Sequence, residues 1–359
     1  MNDQAEADPD VLIVGGGIGG LSNALGLARA GHRVRVLESA PEFSEIGAGL
    51  QLAPNANRIL RDWGLLDEVA AAGFRPRRLV LKDAIDGGEL THLPIDDAFE
   101  ARYGTPYYVI HRSDLLDILV RACKQAGVEL RTGAHVEDVS TEPDGATVTV
   151  ASGPAQRAAV VLAADGLWST LRRRFSDDEP VCSGFAAYRG AVPMEEMADR
   201  LDELSVEDMV VYFGPGCHFV QYPLRGGTMF NQVAVFRSPS FARGEAEWGG
   251  PEELDDAFAP CCHAVRHGLD KLWRDRHWPM FDRVPITHWV DGRVALTGDA
   301  AHPMLQYLAQ GACQAIEDAG VFSSYADPAG AWPGSWEGAL SSYAADRVAR
   351  AGRVQTLAR

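Results

Sequence analysis

The chain has 359 residues, of which 46% are hydrophobic and 23% are charged, and its formal net charge at pH 7 is −17. This length is sufficient for two domains or for one large α/β domain with an inserted sheet, and the composition is that of an ordinary globular protein. The negative charge argues against nucleic acid and against an anionic membrane as partners, because binding to either requires a basic surface.

The amino terminus, MNDQAEADPD, lacks the basic, apolar and small-residue blocks of a secretory signal. No apolar run approaches the roughly 20 residues that span a bilayer, so we expect a cytoplasmic protein that does not bind membranes. The six cysteines include no C-x-x-C pair, as is typical of reduced thiols. Cys261, Cys262, His263 and His267 lie together without a second half-site, so we expect no metal site and interpret them as part of a helix over Glu252–Trp273.

A glycine-rich turn follows the first predicted strand. Val11–Val14 is a continuous apolar run, which suits a parallel strand that is buried on both faces. Gly15, Gly17 and Gly20 then form G-x-G-x-x-G, which allows a tight turn, the close approach of a pyrophosphate and close packing of the next helix. We predict that this helix covers Leu21–Ala30, with its N-terminal N–H groups directed at the phosphate.

An acidic residue completes the nucleotide-binding pattern. The second predicted strand, His32–Leu37, ends at Glu38, where a carboxylate would accept hydrogen bonds from an adenosine ribose. The alternative is a purely structural turn, but the order of strand, helix, strand and acid favours a dinucleotide site. An acid at this position disfavours a 2′-phosphate, which leaves FAD or NAD as the tightly bound ligand. The fingerprint alone does not choose between them.

The sequence pattern changes near residue 180, where alternating strands and helices give way to short strands joined by glycine-containing turns. Four such strands are predicted: Phe185–Val192, Met209–Phe213, His218–Leu224 and Phe230–Phe236. They indicate an antiparallel sheet inserted into the wound-sheet domain. We therefore predict a nucleotide-binding domain in two parts, 1–180 and 285–359, a sheet domain over 181–284, and a final helix from about Trp336.

Two further motifs resolve the choice of ligand. The first is VLAADGLWST over residues 161–170, followed by LRR, and the second is LTGDAAHP over 296–303, which continues into GACQAIEDA over 311–319. Together with the glycine turn, they resemble the single-component FAD-dependent aromatic hydroxylases over essentially the whole chain. This resemblance implies an α/β fold: a Rossmann-type FAD-binding domain with an inserted antiparallel-sheet substrate domain and a C-terminal helix.

The resemblance also assigns cofactor-binding residues. Asp299 ends a buried strand, so it can accept hydrogen bonds from ribityl hydroxyls, while Gly311 and Ala312 allow the next helix to approach the flavin. The family implies that Arg112 contacts the phosphate or ribose region and that Asp165 serves flavin and nicotinamide binding. The alternatives are a surface ion pair for Arg112 and simple helix capping for Asp299. Only one complete fingerprint is present, and the family resemblance implies that FAD is bound there while the nicotinamide nucleotide visits transiently. The sequence does not fix NADH over NADPH, and the resemblance favours NADH.

In enzymes of this family, reduced flavin reacts with O₂ to give a C4a-hydroperoxide, which hydroxylates a small aromatic acid. His218 and Tyr222 are four residues apart and share one face of a strand. His218 is the candidate base for the phenolic proton, and Tyr222 would orient the substrate. Gln306 replaces a proline that is common in the family, and with His218 and Tyr222 it resembles the members that convert 3-hydroxybenzoate into gentisate. Each also has a purely structural alternative: His218 could be a hydrogen-bonded histidine at the sheet edge, and Tyr222 could pack in the core.

Other readings remain open from the sequence. Within the family, the alternative activity is salicylate 1-hydroxylation, which gives catechol and CO₂. Outside the family, the alternative is a non-catalytic flavin-binding protein. Either Arg189 or Arg225 could meet the carboxylate of the substrate, because no motif fixes this position. For the assembly we expect a homodimer, the commonest state of soluble oligomers.

Overall fold

A computed structural model of the chain describes residues 8–44, 48–197 and 205–359, and the chain divides into two compact units. The first unit comprises Met1–Glu45, Leu116–Pro180 and Asp282–Arg359, and the second comprises Ile46–Leu115 and Val181–Phe281. Among the helices of the described ranges, none has both the length and the apolar character that crossing a bilayer requires.

The regular elements of the described residues follow in chain order. The strands are β1 (Val11–Val14), β2 (Val34–Leu37), β3 (Gly49–Leu52), β4 (Arg78–Asp83), β5 (Glu89–Pro94), β6 (Tyr108–His111), β7 (Glu129–Arg131), β8 (Val136–Glu142), β9 (Gly145–Val150), β10 (Gln156–Ala158), β11 (Val160–Ala163), β12 (Val181–Pro193), β13 (Met209–Gly214), β14 (Cys217–Leu224), β15 (Met229–Arg237), β16 (Trp278–Asp282), β17 (Val290–Asp291) and β18 (Val294–Leu296). The α-helices are α1 (Ile18–Arg29), α2 (Pro54–Asp62), α3 (Leu66–Ala72), α4 (Asp97–Tyr103), α5 (Arg112–Gln125), α6 (Pro239–Ala242), α7 (Pro251–Phe258), α8 (His263–Gly268), α9 (Gly311–Ala326) and α10 (Trp336–Leu357).

The first unit contains a six-stranded sheet in the order β17-β18-β11-β1-β2-β7. Strands β1, β2, β7, β11 and β18 run parallel to their neighbours, and β17 is antiparallel at the edge. All four residues of β1 are buried, as expected of a central parallel strand covered on both faces. The Rossmann-type fold expected from the sequence is thereby confirmed. A smaller antiparallel sheet, β10-β9-β8, completes this unit.

The second unit contains a seven-stranded sheet in the order β16-β12-β15-β14-β13-β4-β5. The predicted antiparallel strands form its centre, with β12, β15, β14 and β13 as successive neighbours. Strand β4 joins them by parallel pairing with β13, where Val80 is opposite Val210. Residues 46–115 therefore belong to this unit and not to the nucleotide-binding part that the prediction gave as 1–180. The main-chain hydrogen bonds between β4 and β13 cause the difference, and they connect segments that are far apart in sequence.

The predicted helix over Glu252–Trp273 is wrong, because it is broken into α7 and α8. Pro260 lies at the break and lacks the N–H that a continuous helix would need. Cys262 is extended, with ψ of 164°, and its N–H donates to the carbonyl oxygen of Ala84 at 2.7 Å.

One face of the seven-stranded sheet is covered by α7 and α8. Tyr188, Phe219 and Phe236 from the strands are buried together with Leu254 and Phe258 from α7. Because side chains alternate along a strand, the neighbouring residues on β12, β14 and β15 point to the opposite face. That opposite face carries the candidate substrate-binding residues.

Candidate active site

The glycine-rich turn between β1 and α1 leaves no room for side chains at two of its three motif positions. Gly15 has a φ of 104°, and a Cβ there would fall on the carbonyl oxygen of Ala164. A Cβ on Gly20 would collide with the carbonyl oxygen of Gly15. Gly17 precedes α1 as its extended N-cap residue. The turn therefore presents bare backbone at a helix N-terminus, an arrangement that binds pyrophosphate.

A second helix begins at the same edge of the parallel sheet. Helix α9 packs against α1 through small residues, and a Cβ on Gly19 would lie 3.3 Å from the Cβ of Ala315 and 3.7 Å from the Cα of Gly298. Helix α1 follows β1, and α9 follows β18. Both N-termini therefore lie at the carboxyl edge of the sheet, where their dipoles together favour an anionic group.

Asp299 lies in the segment between β18 and α9. Its side chain is exposed, whereas Gly298 and Ala300 on either side are buried. A Cβ on Gly311, the first residue of α9, would lie 3.9 Å from Oδ1 of Asp299, and Ala312 follows with only a methyl group. Small residues at this helix start leave the carboxylate accessible to the hydroxyls of a sugar alcohol. The ribityl-binding role of Asp299 stays a prediction, and this placement supports it.

Glu38 directs its carboxylate at the backbone of the nucleotide loops. Its Oε2 accepts from the N–H of Gly16 at 2.6 Å, while Oε1 accepts from the N–H of Ala40 at 2.7 Å and from the hydroxyl of Ser39 at 3.2 Å. A carboxylate offers about four lone-pair sites, so further hydrogen bonds from ribose hydroxyls can be accommodated. Glu38 thus reaches the glycine turn from the end of β2.

Asp165 is engaged by its own loop after β11. Its Oδ1 accepts from the hydroxyl of Ser169 at 2.6 Å, and its Oδ2 accepts from the N–H of Thr170 at 3.0 Å and of Leu171 at 3.3 Å. Burial raises the pKa of Asp165, and these hydrogen bonds oppose the shift. The contacts make Asp165 a cap of the short helical turn that follows, and its role towards flavin and nicotinamide stays a prediction.

Arg172 connects the loop after β11 with the loop after β18. Its guanidinium Nη1 donates to the carbonyl oxygens of Ala300 at 2.9 Å and Ala301 at 2.7 Å. The side chain is fully buried and pairs with Asp178 at 2.9 Å. Burial lowers the pKa of Arg172, and the hydrogen bond and charge of Asp178 oppose this shift.

A buried carboxylate fixes the segment that precedes Asp299. Asp318 accepts hydrogen bonds from the N–H of Gly298 at 2.8 Å, the hydroxyl of Thr297 at 3.2 Å and Nε2 of His302 at 2.7 Å. Its other oxygen accepts from Nε of Arg347 at 2.7 Å. Burial alone would raise the pKa of Asp318, but the His302 ring, the Arg347 guanidinium and the hydrogen bonds outweigh it and lower the pKa to about 2.

Gln306 lies in the first unit and is half-buried. It begins a short 3₁₀ turn that ends at Leu308, and the next residue, Ala309, has left-handed φ and ψ of 51° and 35°. The amide of Gln355 in α10 donates to the carbonyl oxygen of Pro303 at 2.8 Å. The segment that carries Gln306 is therefore held by the last turn of α10.

His218 and Tyr222 lie on the same face of β14 in the second unit, whereas Phe219 between them packs on the opposite face under α7. His218 is half-buried, with its ring 6.4 Å from that of Phe213. Burial lowers the pKa of His218 to about 4. The imidazole is therefore neutral at physiological pH, and its unprotonated nitrogen can accept a hydrogen bond.

Tyr222 is only 2% exposed and packs against β3. A Cβ on Gly49 would lie 2.5 Å from Cε2 and 2.6 Å from the hydroxyl oxygen of Tyr222. The N–H of Gly49 donates to the side-chain oxygen of Asn231 at 2.8 Å, which holds β3 in this place. Burial raises the pKa of Tyr222, while a hydrogen bond with Gln51 and the charge of Arg189 oppose the shift. The hydroxyl therefore stays protonated.

Three arginines of the second unit differ in their surroundings. Arg112 begins α5, and its N–H donates to the carbonyl oxygen of Ala48 at 3.3 Å. Arg225 makes two hydrogen bonds of 2.8 Å with the carboxylate of Asp114. Arg189 lies over the ring of Trp278, 5.1 Å from its centroid. Burial lowers the pKa of Arg189, and the nearby charge of Arg112 lowers it further.

The residues of the first unit fit an FAD molecule. The bare glycine turn and the N-terminus of α1 suit its pyrophosphate, Glu38 suits its adenosine ribose, and the accessible Asp299 suits its ribityl chain. The sequence profile of the FAD binding domain family matches residues 8–356. The chain belongs to this family. Within it, the identification as an FAD-dependent aromatic hydroxylase is confirmed by the curated relatives.

One such relative is 3-hydroxybenzoate 6-hydroxylase 1 of Aquipseudomonas alcaligenes, which is 41% identical over 98% of this chain and 88% of its own length. The solved structure of Klebsiella pneumoniae HpxO with FAD and uric acid superposes with a TM-score of 0.85, at 25% identity, over 97% of this chain and 86% of that one. A salicylate hydroxylase complex with substrate has a TM-score of 0.80 at 26% identity, over 98% and 87% of the two chains.

Several residues that shape the site of this flavoprotein hydroxylase were missed by sequence reasoning. Asp318 and Arg347 fix the loop before Asp299, and Asn231 fixes β3 beside Tyr222. Asn231 carries a weak signal, since Asn231 and Gln232 are adjacent amides inside a mostly apolar strand. Asp318 lies within the GACQAIEDA motif, but the motif does not reveal its role, because its partners lie between 16 and 29 residues away.

Proposed function

We propose that the chain hydroxylates 3-hydroxybenzoate at the carbon para to its hydroxyl group, which gives gentisate, with O₂ and NADH as co-substrates. The observation that supports this most directly is a neutral, half-buried His218 that shares one sheet face with Tyr222, in a chain 41% identical to a 3-hydroxybenzoate 6-hydroxylase. Bound FAD would transfer electrons from the nicotinamide to O₂ and deliver one oxygen atom to the ring.

In this proposal His218 accepts the hydrogen bond of the phenolic O–H and so raises the electron density of the ring. A free phenol of the tyrosine type has a pKa of about 10, far above the pKa of about 4 of His218. Complete proton transfer to the imidazole alone would therefore be strongly uphill. A hydrogen bond from the phenolic O–H to the neutral imidazole avoids this cost, and the proton transfers only as the ring is oxygenated.

Tyr222 and Gln306 are proposed to orient the substrate. The protonated hydroxyl of Tyr222 can donate one hydrogen bond, and the amide of Gln306 can both donate and accept. NADH as the preferred reductant and a homodimeric assembly are further proposals, which rest on the family resemblance and on the commonest assembly type. Comparing kcat/KM for NADH and NADPH, and measuring the mass of the holoenzyme by light scattering, would test them.

The decisive experiment is product analysis. Holoenzyme is incubated with NADH, O₂ and each of the three monohydroxybenzoates, and the products are identified by mass spectrometry. We expect gentisate from 3-hydroxybenzoate with no release of CO₂, and a loss of roughly 10²- to 10⁴-fold in kcat for His218→Gln. Catechol with CO₂ from 2-hydroxybenzoate would instead establish salicylate hydroxylation. NADH oxidation without any aromatic product would contradict both.

A further inference from the structure

The face of the seven-stranded sheet opposite α7 and α8 carries the half-buried Arg189. Pairing across β14, β15 and β12 puts Val220, Val233 and Arg189 in one row, and directly paired residues share a face. The neighbouring row on one side contains His218. From the spacing of strands and residues, the Cα atoms of Arg189 and His218 are about 12 Å apart. Their side chains can therefore contact opposite ends of one small ring.

The environment of Arg189 is unusual for an arginine. Its guanidinium stacks on Trp278, 5.1 Å from the ring centroid, and within the ranges 8–44, 48–197 and 205–359 no carboxylate forms an ion pair with it. Arg112 is close enough to disfavour its charged form further. A charge that is desolvated and lies near a like charge is stabilised by an anion.

Arg225, the other arginine that the sequence left open, is already paired. Its Nε and Nη2 each donate to one carboxylate oxygen of Asp114 at 2.8 Å, which is the two-point geometry of a strong arginine–carboxylate pair. A substrate carboxylate would have to compete with Asp114 for this guanidinium. The structure therefore removes the ambiguity between the two arginines.

We propose that Arg189 binds the carboxylate of the aromatic substrate and thereby makes the enzyme selective for hydroxylated aromatic acids over neutral phenols. Around Arg189 the face is formed by the small or apolar side chains of Ala187, Ala191, Val220 and Val233, which suits a flat ring with a single charged end. The stacked Trp278 restricts the guanidinium to this position. The assignment rests on the proposed function, because it concerns the substrate of that reaction.

The test compares an acid with a neutral analogue that has the same ring. Holoenzymes of the wild type, Arg189→Met, Arg189→Lys and Arg225→Met are titrated with 3-hydroxybenzoate and with 3-hydroxybenzyl alcohol, and Kd is measured from changes in the visible flavin spectrum. We expect Arg189→Met to raise Kd for the acid roughly 10- to 100-fold and to leave Kd for the alcohol nearly unchanged. Arg189→Lys should lie between the wild type and Arg189→Met. Arg225→Met, which removes a surface ion pair, should resemble the wild type.

Equal weakening for acid and alcohol would overturn the proposal, because it would mean that Arg189 only supports the fold through Trp278. Loss of FAD by Arg189→Met and Arg189→Lys alike would also overturn it and would make Arg189 a cofactor ligand. If Arg189→Met does not fold, the acid-to-alcohol ratio of Arg189→Lys decides. If the wild type binds another aromatic acid but not 3-hydroxybenzoate, the proposed function fails, and the same acid–neutral comparison with that acid still tests Arg189.

Discussion

The two units position their functional side chains in different ways. In the first unit the cofactor loops are fixed by backbone geometry, since Gly15 and Gly20 occupy places where a Cβ would strike main-chain atoms. In the second unit the candidate residues His218, Tyr222 and Arg189 are brought together by strand register, on strands that are not all adjacent. A sequence motif is therefore informative about the first site, whereas in the second site the place of Arg189 beside His218 and Tyr222 becomes visible only when the sheet is assembled.

The largest expected effect concerns Asp318 of the first unit, whose role the GACQAIEDA motif does not reveal. Asp318→Asn removes one of the two carboxylates that neutralise the buried Arg347, the other being Glu317, and it removes the carboxylate partner of His302, so we expect a loss of about 3–5 kcal/mol in the free energy of unfolding, together with weaker FAD binding. The measurement is urea denaturation with a parallel flavin titration. Asp346→Asn, the same change at an exposed position of α10, is the matched control. If both variants behaved alike, backbone geometry alone would fix the cofactor loops.

The difference in unfolding free energy between the wild type and Asp318→Asn should also depend on pH. Because the pKa of Asp318 is lowered to about 2 in the folded protein, its ionic contribution is fully present above the unfolded pKa of about 3.9 and is lost as the pH falls towards 2. The stability gap between wild type and Asp318→Asn should therefore narrow between about pH 5 and pH 2. A stability difference that stayed constant over this pH range would contradict an ionised Asp318 in the folded protein.

A smaller effect is expected in the second unit, where strand register brings the candidate residues together. Gly49→Ala places a methyl group 2.5 Å from the ring of the buried Tyr222, and such overpacking costs about 1–3 kcal/mol. In a Tyr222→Leu background the smaller side chain should accept the methyl group, so the same change should cost at least ~0.5 kcal/mol less. Thermal unfolding of the four proteins gives the coupling energy. Strict additivity would indicate that β3 does not rest on Tyr222.

The smallest expected effect tests a single residue of the first unit. Ala309 adopts a left-handed conformation with φ of 51°, so Ala309→Gly should stabilise the protein by about 0.5–1 kcal/mol. Ala101→Gly inside α4 should destabilise it by about as much, near 0.5–1 kcal/mol. Chemical denaturation of the two variants side by side would reveal the opposite signs. A loss of stability for Ala309→Gly would show that this conformation is not strained.

Much of the fold could be predicted because local patterns encode it. The apolar run of β1, the glycine turn and the alternating strands β13, β14 and β15 all appear where the sequence places them. The broken helix at Pro260 was also encoded locally, but the helical spacing of apolar residues on either side concealed it. The assignment of residues 46–115 to the second unit was not predictable, because it depends on pairing between β4 and β13.

In the candidate site, too, some residues could be predicted from local sequence and others depend on distant partners. Glu38 and Asp299 could be named because Glu38 directly follows β2 and Asp299 lies in the turn shortly after β18, and strand ends of a parallel sheet meet at one edge. The choice between Arg189 and Arg225 could not be made, because it depends on Asp114, which lies 111 residues from Arg225 in the chain. Side chains whose partners are distant in sequence leave no local trace, even when they decide which ligand is accepted.

The contact of Gln355 gives the last helix a function beyond packing. Its amide is buried and donates to the carbonyl oxygens of Arg283 and of Pro303, and Pro303 lies three residues before Gln306. Cleavage of the backbone within the last turn of α10 would therefore disturb the loop of Gln306 while the parallel sheet stayed intact. Turnover would then fall before the overall secondary structure changed, and the two losses could be separated in time during limited digestion.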